Sequence, residues 1–314
     1  MLEDLLRRAS GERIRRDLFL LSKDPLPYRK ASYTRPGQTR STLAETDDYI
    51  SSQLQAAGCD LRQTHHRVQA FRCDETKPVH HWYAKPEPED PYYDVTNVEG
   101  IIRGTDHPEE IIQLISHKDS MSWIDSPGAR DNCVGTVANL ELARLLASAK
   151  PKRTIRFLFC NEEHTPWTSR IAAAAAAEKK ENLIAVLNVD SLDGKSDADS
   201  AAGKMTHVVT YSTDEGRPLA QYVASRADHF EISLEPDVVF KEYVNDDDGM
   251  FINAGYHRTV MNVGSFPYVD SQYHLPGDVP ERVNIANVVE SVKLILAAVV
   301  GISASGEEAF DTIN

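Results

Sequence analysis

From Val98 onward the chain alternates short apolar runs with helix-length amphipathic segments, and this alternation constrains the fold more than any other feature. The runs at 111–116 (IIQLIS), 155–160 (IRFLFC), 183–189 (LIAVLNV), 207–210 and 259–263 have the length and apolar content of strands covered on both faces. Between them, residues 134–147, 169–180, 218–227 and 285–300 read as helices. Strand and helix in turn predict an α/β fold of three layers, a central, mostly parallel (mixed) sheet flanked by helices. The six consecutive alanines in the second helix read as a face packed close against a neighbour, since alanine favours helix and fills little space. A chain of 314 residues buries enough surface to need no staples.

Residues 1 to about 95 are mixed, and we read 1–314 as one domain in which this helical and loop portion packs on a core of 96–303. The segment comprises an amphipathic opening, a loop-rich basic stretch at 23–40, and a helix at 43–57 closed by Gly58. Residues 77–93 (KPVHHWYAKPEPEDPYY) hold four of the sixteen prolines and read as a surface loop or edge hairpin. The formal charge of −14 (34 basic against 48 acidic side chains) argues against nucleic acid as a partner. Charges break every apolar run in residues 1–20, so neither a secretory leader nor a membrane span is expected there, and no membrane partner. As written the chain reads as cytoplasmic, or as secreted or periplasmic if a leader was trimmed. Four cysteines without a CxxC pair favour a reducing compartment, with a Cys59–Cys73 bridge left open.

The polar residues that interrupt the apolar pattern are not scattered. His117, Glu162, Glu163 and Asp190 each fall within three residues of the C-terminal end of a predicted strand, the sheet edge at which α/β folds bind ligands. Asp131 precedes a predicted helix, and His274 follows the last predicted strand. Each alone has a plain structural explanation, as a turn former, an N-cap or a hydrogen-bonded imidazole. Gathered at one edge, six such groups would repel one another and resist desolvation unless cations neutralised them. Two histidines with three carboxylates suit zinc, and one carboxylate can bridge two ions.

The segments Ser116-His117-Lys118-Asp119-Ser120, Pro127-Gly128-Ala129-Arg130-Asp131-Asn132, Arg153-Thr154-Ile155-Arg156-Phe157 leading to Glu162-Glu163, Leu187-Asn188-Val189-Asp190 and Tyr273-His274-Leu275-Pro276-Gly277-Asp278 occur in the order and spacing of a known family. Over roughly residues 97–300 the chain resembles the co-catalytic zinc exopeptidases, which include bacterial aminopeptidases, glutamate carboxypeptidase, glutaminyl cyclase and the transferrin receptor ectodomain. The resemblance implies two zinc ions per chain, with other divalent metals as substitutes. His117 and Asp190 would hold one, Glu163 and His274 the other, and Asp131 would bridge them. Glu162 would be the free general base, and the substrate a peptide with a free N-terminus. Asp119 would orient His117, its alternative being a solvated loop acid. Tyr273 would donate its hydroxyl to the scissile carbonyl oxygen, its alternative being a packed aromatic. The implied activity is that of an aminopeptidase. The rivals are glutaminyl-cyclase-like acyl transfer at one zinc, a carboxypeptidase with Arg130 on the substrate carboxylate, and a receptor-like module without catalysis.

Departures from the family pattern carry their own expectations. After Glu162-Glu163 the usual glycines are replaced in His164-Thr165-Pro166-Trp167-Thr168-Ser169, so the substrate wall is expected to differ, and His164 reads as a loop histidine without a duty. Asp246-Asp247-Asp248 stands where the family has Ser-Asp-His, and reads as a solvated turn or an attractor for an ammonium group. The doublets His65-His66 and His80-His81 read as surface decoration, and Cys133 and Cys160 as small buried hydrophobes. Gly194-Lys195-Ser196 lacks the first glycine of a phosphate loop, and Ser120 lacks a nucleophile elbow.

Overall fold

The computed structural model describes residues 2–311. Its strands are β1 (Asp60–Ala70), β2 (Arg72–Cys73), β3 (Tyr83–Ala84), β4 (Tyr92–Ile102), β5 (His107–His117), β6 (Arg153–Cys160), β7 (His164–Thr165), β8 (Asn182–Val189), β9 (Val208–Tyr211), β10 (Asp237–Phe240) and β11 (Thr259–Val263). Its helices are α1 (Leu2–Arg8), α2 (Gly11–Ser22), α3 (Thr42–Ala57), α4 (Val134–Leu146), α5 (Thr168–Glu178), α6 (Asp197–Ala201), α7 (Gly216–His229), α8 (Asp246–Asn253), α9 (Ile285–Ser305) and α10 (Glu308–Asp311). Nine strands form one mixed sheet in the order β10-β9-β11-β8-β5-β6-β4-β1-β7. The four in the middle, β11, β8, β5 and β6, run parallel, and β4, β1 and β7 add antiparallel at one side.

Alternation along the central strands places side chains on both faces, and both faces are covered. Ile112 and Leu114 of β5 and Ile155, Phe157 and Phe159 of β6 join the core under α2, α3, α4, α7 and α9. Ile115, Leu158 and Cys160 face the other way, against Ala173 and Ala176 of α5 and Phe251 of α8. The alanine face lets α5 approach α8 closely, as its composition suggests. Helix α9 is long and apolar enough to cross a membrane, but it lies among α2, α4 and α7 against β5 and β6, and that enclosure accounts for its composition. Gly58 ends α3 in the left-handed conformation, with φ 92°.

Two strands escape a reading by apolar runs. In β1 only Val68 and Gln69 are buried, and in the first three residues of β4 none is. Their pairing, from Asp60 opposite Ile101 to Gln69 opposite Tyr92, extends the sheet through backbone hydrogen bonds. The 77–93 segment is mostly irregular, with Tyr83–Ala84 paired to Arg72–Cys73. All four cysteines are free thiols, so the Cys59–Cys73 bridge left open by the sequence is not formed.

One buried polar network outside the sheet edge has a measurable consequence. His207 is enclosed between β11 and α9, with Nε2 3.2 Å from Asn262 Oδ1 and Nδ1 3.0 Å from Ser291 Oγ. Asn262 Nδ2 donates to the carbonyl of Asn188, so its Oδ1 accepts, which fixes the imidazole as the neutral Nε2–H form and makes Ser291 the donor to Nδ1. Burial lowers its pKa from 6.5 to about 4, against the opposing bond to Asn262. The unfolded chain therefore takes up a proton that the folded one refuses as pH falls from 6.5 towards 4, and roughly 3 kcal/mol of stability is lost across that window. Urea unfolding at a series of pH values should show a shallower acid loss in His207→Gln than in the wild type. Equal slopes would assign the loss to other groups.

Candidate metal centre

The parallel strands β5, β6, β8 and β11 end on the same edge, and this brings the polar residues of four distant segments together. His117 is the last residue of β5, Glu162 and Glu163 follow β6 by two and three residues, and Asp190 follows β8 directly. His274 lies in the loop beyond β11, and Asp131 in the tight turn 129–133 ahead of α4. That turn is held from two sides. Asp278 accepts from the main-chain N–H groups of Arg130 (2.9 Å) and Asp131 (3.0 Å). Asn132 accepts from Gly135 N (2.9 Å) and Ser191 N (3.1 Å) and donates to Val189 O (3.0 Å), tying the turn to the end of β8. A Cβ on Gly135 would stand 2.2 Å from Val189 O and 2.3 Å from Asn132 Oδ1, so the approach of α4 to β8 requires glycine.

Asp131 stands at the middle of the group. Its Oδ1 is 3.1 Å from His117 Nε2 and its Oδ2 is 3.3 Å from His274 Nε2. On the first side, Asp190 Oδ1 lies 3.8 Å and Glu162 Oε2 3.9 Å from His117 Nε2. On the other, Glu163 Oε1 is 3.5 Å from His274 Nε2. His117, Asp131 and Glu163, and likewise His117, Glu162 and Asp190, present donor atoms within 4.8 Å of one another. Asp131 Oδ2 is buried without a hydrogen-bond partner, a lone-pair donor facing other donors.

The electrostatics describe a site that wants positive charge. Burial, opposed by His117, pushes Asp190 up to about 8, and burial with Asp247 and Asp246 pushes Glu162 well above the usual range. Burial opposes protonation of His274, yet Glu163 and Asp131 raise it to about 10; Asp119 and Asp131 likewise raise His117 against its own burial. Oxygen and imidazole donors crowded this way, with an unpartnered buried carboxylate oxygen among them, fit divalent cations of the zinc type.

Asp119 is fully buried and reaches more than His117. It accepts from the main-chain N–H of Glu162 (3.0 Å) and Glu163 (2.9 Å) and from His164 Nδ1 (2.7 Å), with His117 Nδ1 at 3.4 Å, long for a hydrogen bond. One carboxylate thus holds the main chain of both adjacent glutamates, and, against the cost of burial, His117 and His164 hold its pKa below the usual range. His164 is not a loop histidine without a duty: it is buried between Asp119 and the main-chain N–H of Ala31, 3.3 Å from its Nε2. Tyr273 stacks flat on His274 with ring centroids 3.8 Å apart and lines the cavity, as does Tyr268 against it at 4.7 Å.

Three other expectations are corrected. Arg130, the anchor of the carboxypeptidase rival, is not free for a substrate carboxylate: it is 1% exposed and paired with Asp193 (3.0 Å) and Asp270 (2.9 Å). Asp247 and Asp248 are buried, not solvated; Asp248 pairs with the buried Lys241 at 2.8 Å, and Cys160 Sγ donates to Asp247 at 3.1 Å. His80 and His81 are not mere decoration, since His274 Nδ1 donates to the His80 carbonyl (2.7 Å) and His81 lines the cavity. The roles of Asn132, Asp278, His164 and the His80 carbonyl were missed, although Asn132 and Asp278 lie inside motifs the sequence exposes.

The donors sit at the end of a cavity of about 250 Å³ whose wall includes Phe71, Tyr83, Trp123, Met261, Val263 and Phe266. Among the described residues no lysine or arginine lines it, whereas Asp246 adds a further carboxylate.

Comparison with known proteins places this arrangement. The fold superposes on the aminopeptidase from Aneurinibacillus sp. strain AM-1 with a TM-score of 0.71, 13% identity and 95% of each chain covered. It also superposes on the glutaminyl cyclase of Bacteroides thetaiotaomicron, with a TM-score of 0.66 and 14% identity over 91% of this chain and 97% of that one. In sequence, a probable aminopeptidase of Saccharomyces cerevisiae is 25% identical over 212 residues, 63% of this chain and 55% of that protein. The chain spans about half or less of the length of such curated relatives. Residues 97–299, which carry every candidate ligand, match the sequence profile of Peptidase family M28, and the chain belongs to that family.

Proposed function

We propose that the protein is a zinc-dependent aminopeptidase that hydrolyses the N-terminal residue of peptides at a two-zinc centre. One observation carries the reading: Asp131 presents one oxygen to His117 and the other to His274, so that two donor sets share a single carboxylate. His117 and Asp190 would hold one ion, Glu163 and His274 the other, and Asp131 both. Bound there, zinc would lower the pKa of a water and polarise the scissile carbonyl. Glu162, 3.9 Å from His117 Nε2 and left out of both proposed ligand sets, would serve as the general base, accepting a proton at its carboxylate and returning it to the leaving amine. Asp119 holds Glu162 and Glu163 by their main-chain N–H groups, with the Glu162 carboxylate beside His117 and that of Glu163 beside His274. The Tyr273 hydroxyl, kept protonated by burial and by Asp131 and Glu163, is a donor for the developing oxyanion.

The charge of the cavity supports removal from the N-terminus. A substrate ammonium would meet Asp246, a lining carboxylate outside the proposed ligand set, whereas a terminal carboxylate would find no cationic side chain among the described lining residues. With Arg130 committed to Asp193 and Asp270, the carboxypeptidase reading loses its candidate anchor. The zinc-loaded protein is expected to release p-nitroaniline from aminoacyl p-nitroanilides with a free amine and to leave their N-acetylated counterparts intact. Equal turnover of the blocked compounds, or release of residues from the C-terminus of a peptide, would end the aminopeptidase reading.

A further inference from the structure

The family match begins at Asn97, yet earlier segments reach the centre at three places. The His80 carbonyl accepts from His274, the Ala31 N–H meets His164, and Arg29 lies beneath the loops that carry His117 and Asp131. Arg29 is the most constrained of these. Its side chain is fully buried, with Nε donating to Lys118 O (2.7 Å), Nη1 to Leu21 O (2.9 Å) and Pro127 O (2.6 Å), and Nη2 to Gly128 O (2.8 Å). Its main chain is paired as well, donating to Ser120 Oγ (3.0 Å) and accepting from Ser120 N (3.0 Å).

Among the described residues no carboxylate lies within ion-pair distance of this guanidinium; every partner is a carbonyl. Burying a cation without a counter-charge is costly, and where only shape is needed an apolar side chain of similar volume serves as well or better. What an apolar residue cannot do is hold several carbonyls from separate segments in one plane, which the guanidinium's five fixed N–H groups allow. Two of those carbonyls have specific positions. Lys118 directly follows His117, and Gly128 opens the turn that carries Asp131, its carbonyl also accepting from Cys133 N (3.0 Å).

We propose that Arg29 is a positioning residue for the metal centre: by clamping the backbone at Lys118, Pro127 and Gly128 it sets the separation of His117 from Asp131, and metal affinity depends on it. This rests on the reading that those residues hold metal. Lysine keeps the charge but offers a single nitrogen, which cannot bond to all these carbonyls in their fixed plane.

The test is zinc affinity by competition with a fluorescent chelator, alongside the melting temperature of the metal-free protein. It compares the wild type with Arg29→Lys, Ser120→Ala, and His207→Gln as a variant altered far from the centre. In Arg29→Lys the zinc dissociation constant should rise about tenfold or more, the range found when groups behind metal ligands are lost, with occupancy recovered in excess zinc. Ser120→Ala should weaken zinc in the same direction by a smaller factor, and His207→Gln should lose stability while keeping wild-type affinity. Wild-type zinc affinity in Arg29→Lys would overturn the proposal, whatever happens to its melting temperature. If Arg29→Lys does not fold, wild-type affinity in Ser120→Ala would do the same. A wild-type protein that binds no zinc would instead overturn the metal reading beneath it.

Discussion

Glu162→Gln should lower kcat by about a thousandfold, in the middle of the range for losing a general acid–base group, while leaving zinc content unchanged. Such a loss corresponds to about 4 kcal/mol of transition-state stabilisation. The substitution removes the proton acceptor but preserves its position, because the main-chain N–H that Asp119 accepts at 3.0 Å remains. The neighbouring Glu163 has its own bond to Asp119 and its own contact with His274, so the donor set should survive. Elemental analysis and single-turnover kinetics on one preparation decide the matter. A variant with normal zinc and near-normal kcat would remove Glu162 from the mechanism, and one that loses zinc would make it a ligand.

Asp131→Ala is expected to be at least as damaging to activity, for a different reason. One oxygen of the side chain meets His117 and the other His274, so on the proposed two-zinc reading its loss should weaken both ions together. Zinc content should fall from near two per chain to below one, and the stabilisation that saturating zinc gives the folded state, about 3–4 kcal/mol at a hundred to a thousand times the dissociation constant, should largely disappear. The surrounding turn has independent support, since Asp278 holds it through main-chain N–H groups that alanine retains. Loss of one ion with the other bound normally would show that the two donor sets do not share Asp131. Retention of both with normal turnover would remove it from the centre.

The parts of this architecture that the sequence displays are those whose partners impose a strong pattern. Strands β5, β6 and β8 are enclosed on both faces, so their apolar runs mark them to within a few residues, and the ligands appear as polar breaks at their ends. Strand β1 and the first residues of β4 are held largely by backbone pairing with much of their surface in water, and an apolar pattern has nothing to follow there. His164, Arg130 and Asp248 were misread for a related cause. Each is explained by an oppositely charged or hydrogen-bonding partner distant along the chain or in a neighbouring loop: Asp119, Asp193 with Asp270, and Lys241. Local composition reports which residues want water, but not which buried partner will replace it.

The spread of the donors over three strand ends, the turn before α4 and the loop beyond β11 also bears on when the centre can exist. His117 and His274 stand half the chain length apart, and the sheet that brings them together is completed only when β11 joins β8. A zinc finger draws its ligands from a short stretch and uses the ion to drive its own folding. The ligands proposed here converge only through long-range pairing, so a nascent chain still lacking β11 and the loop beyond it has no complete centre to offer zinc.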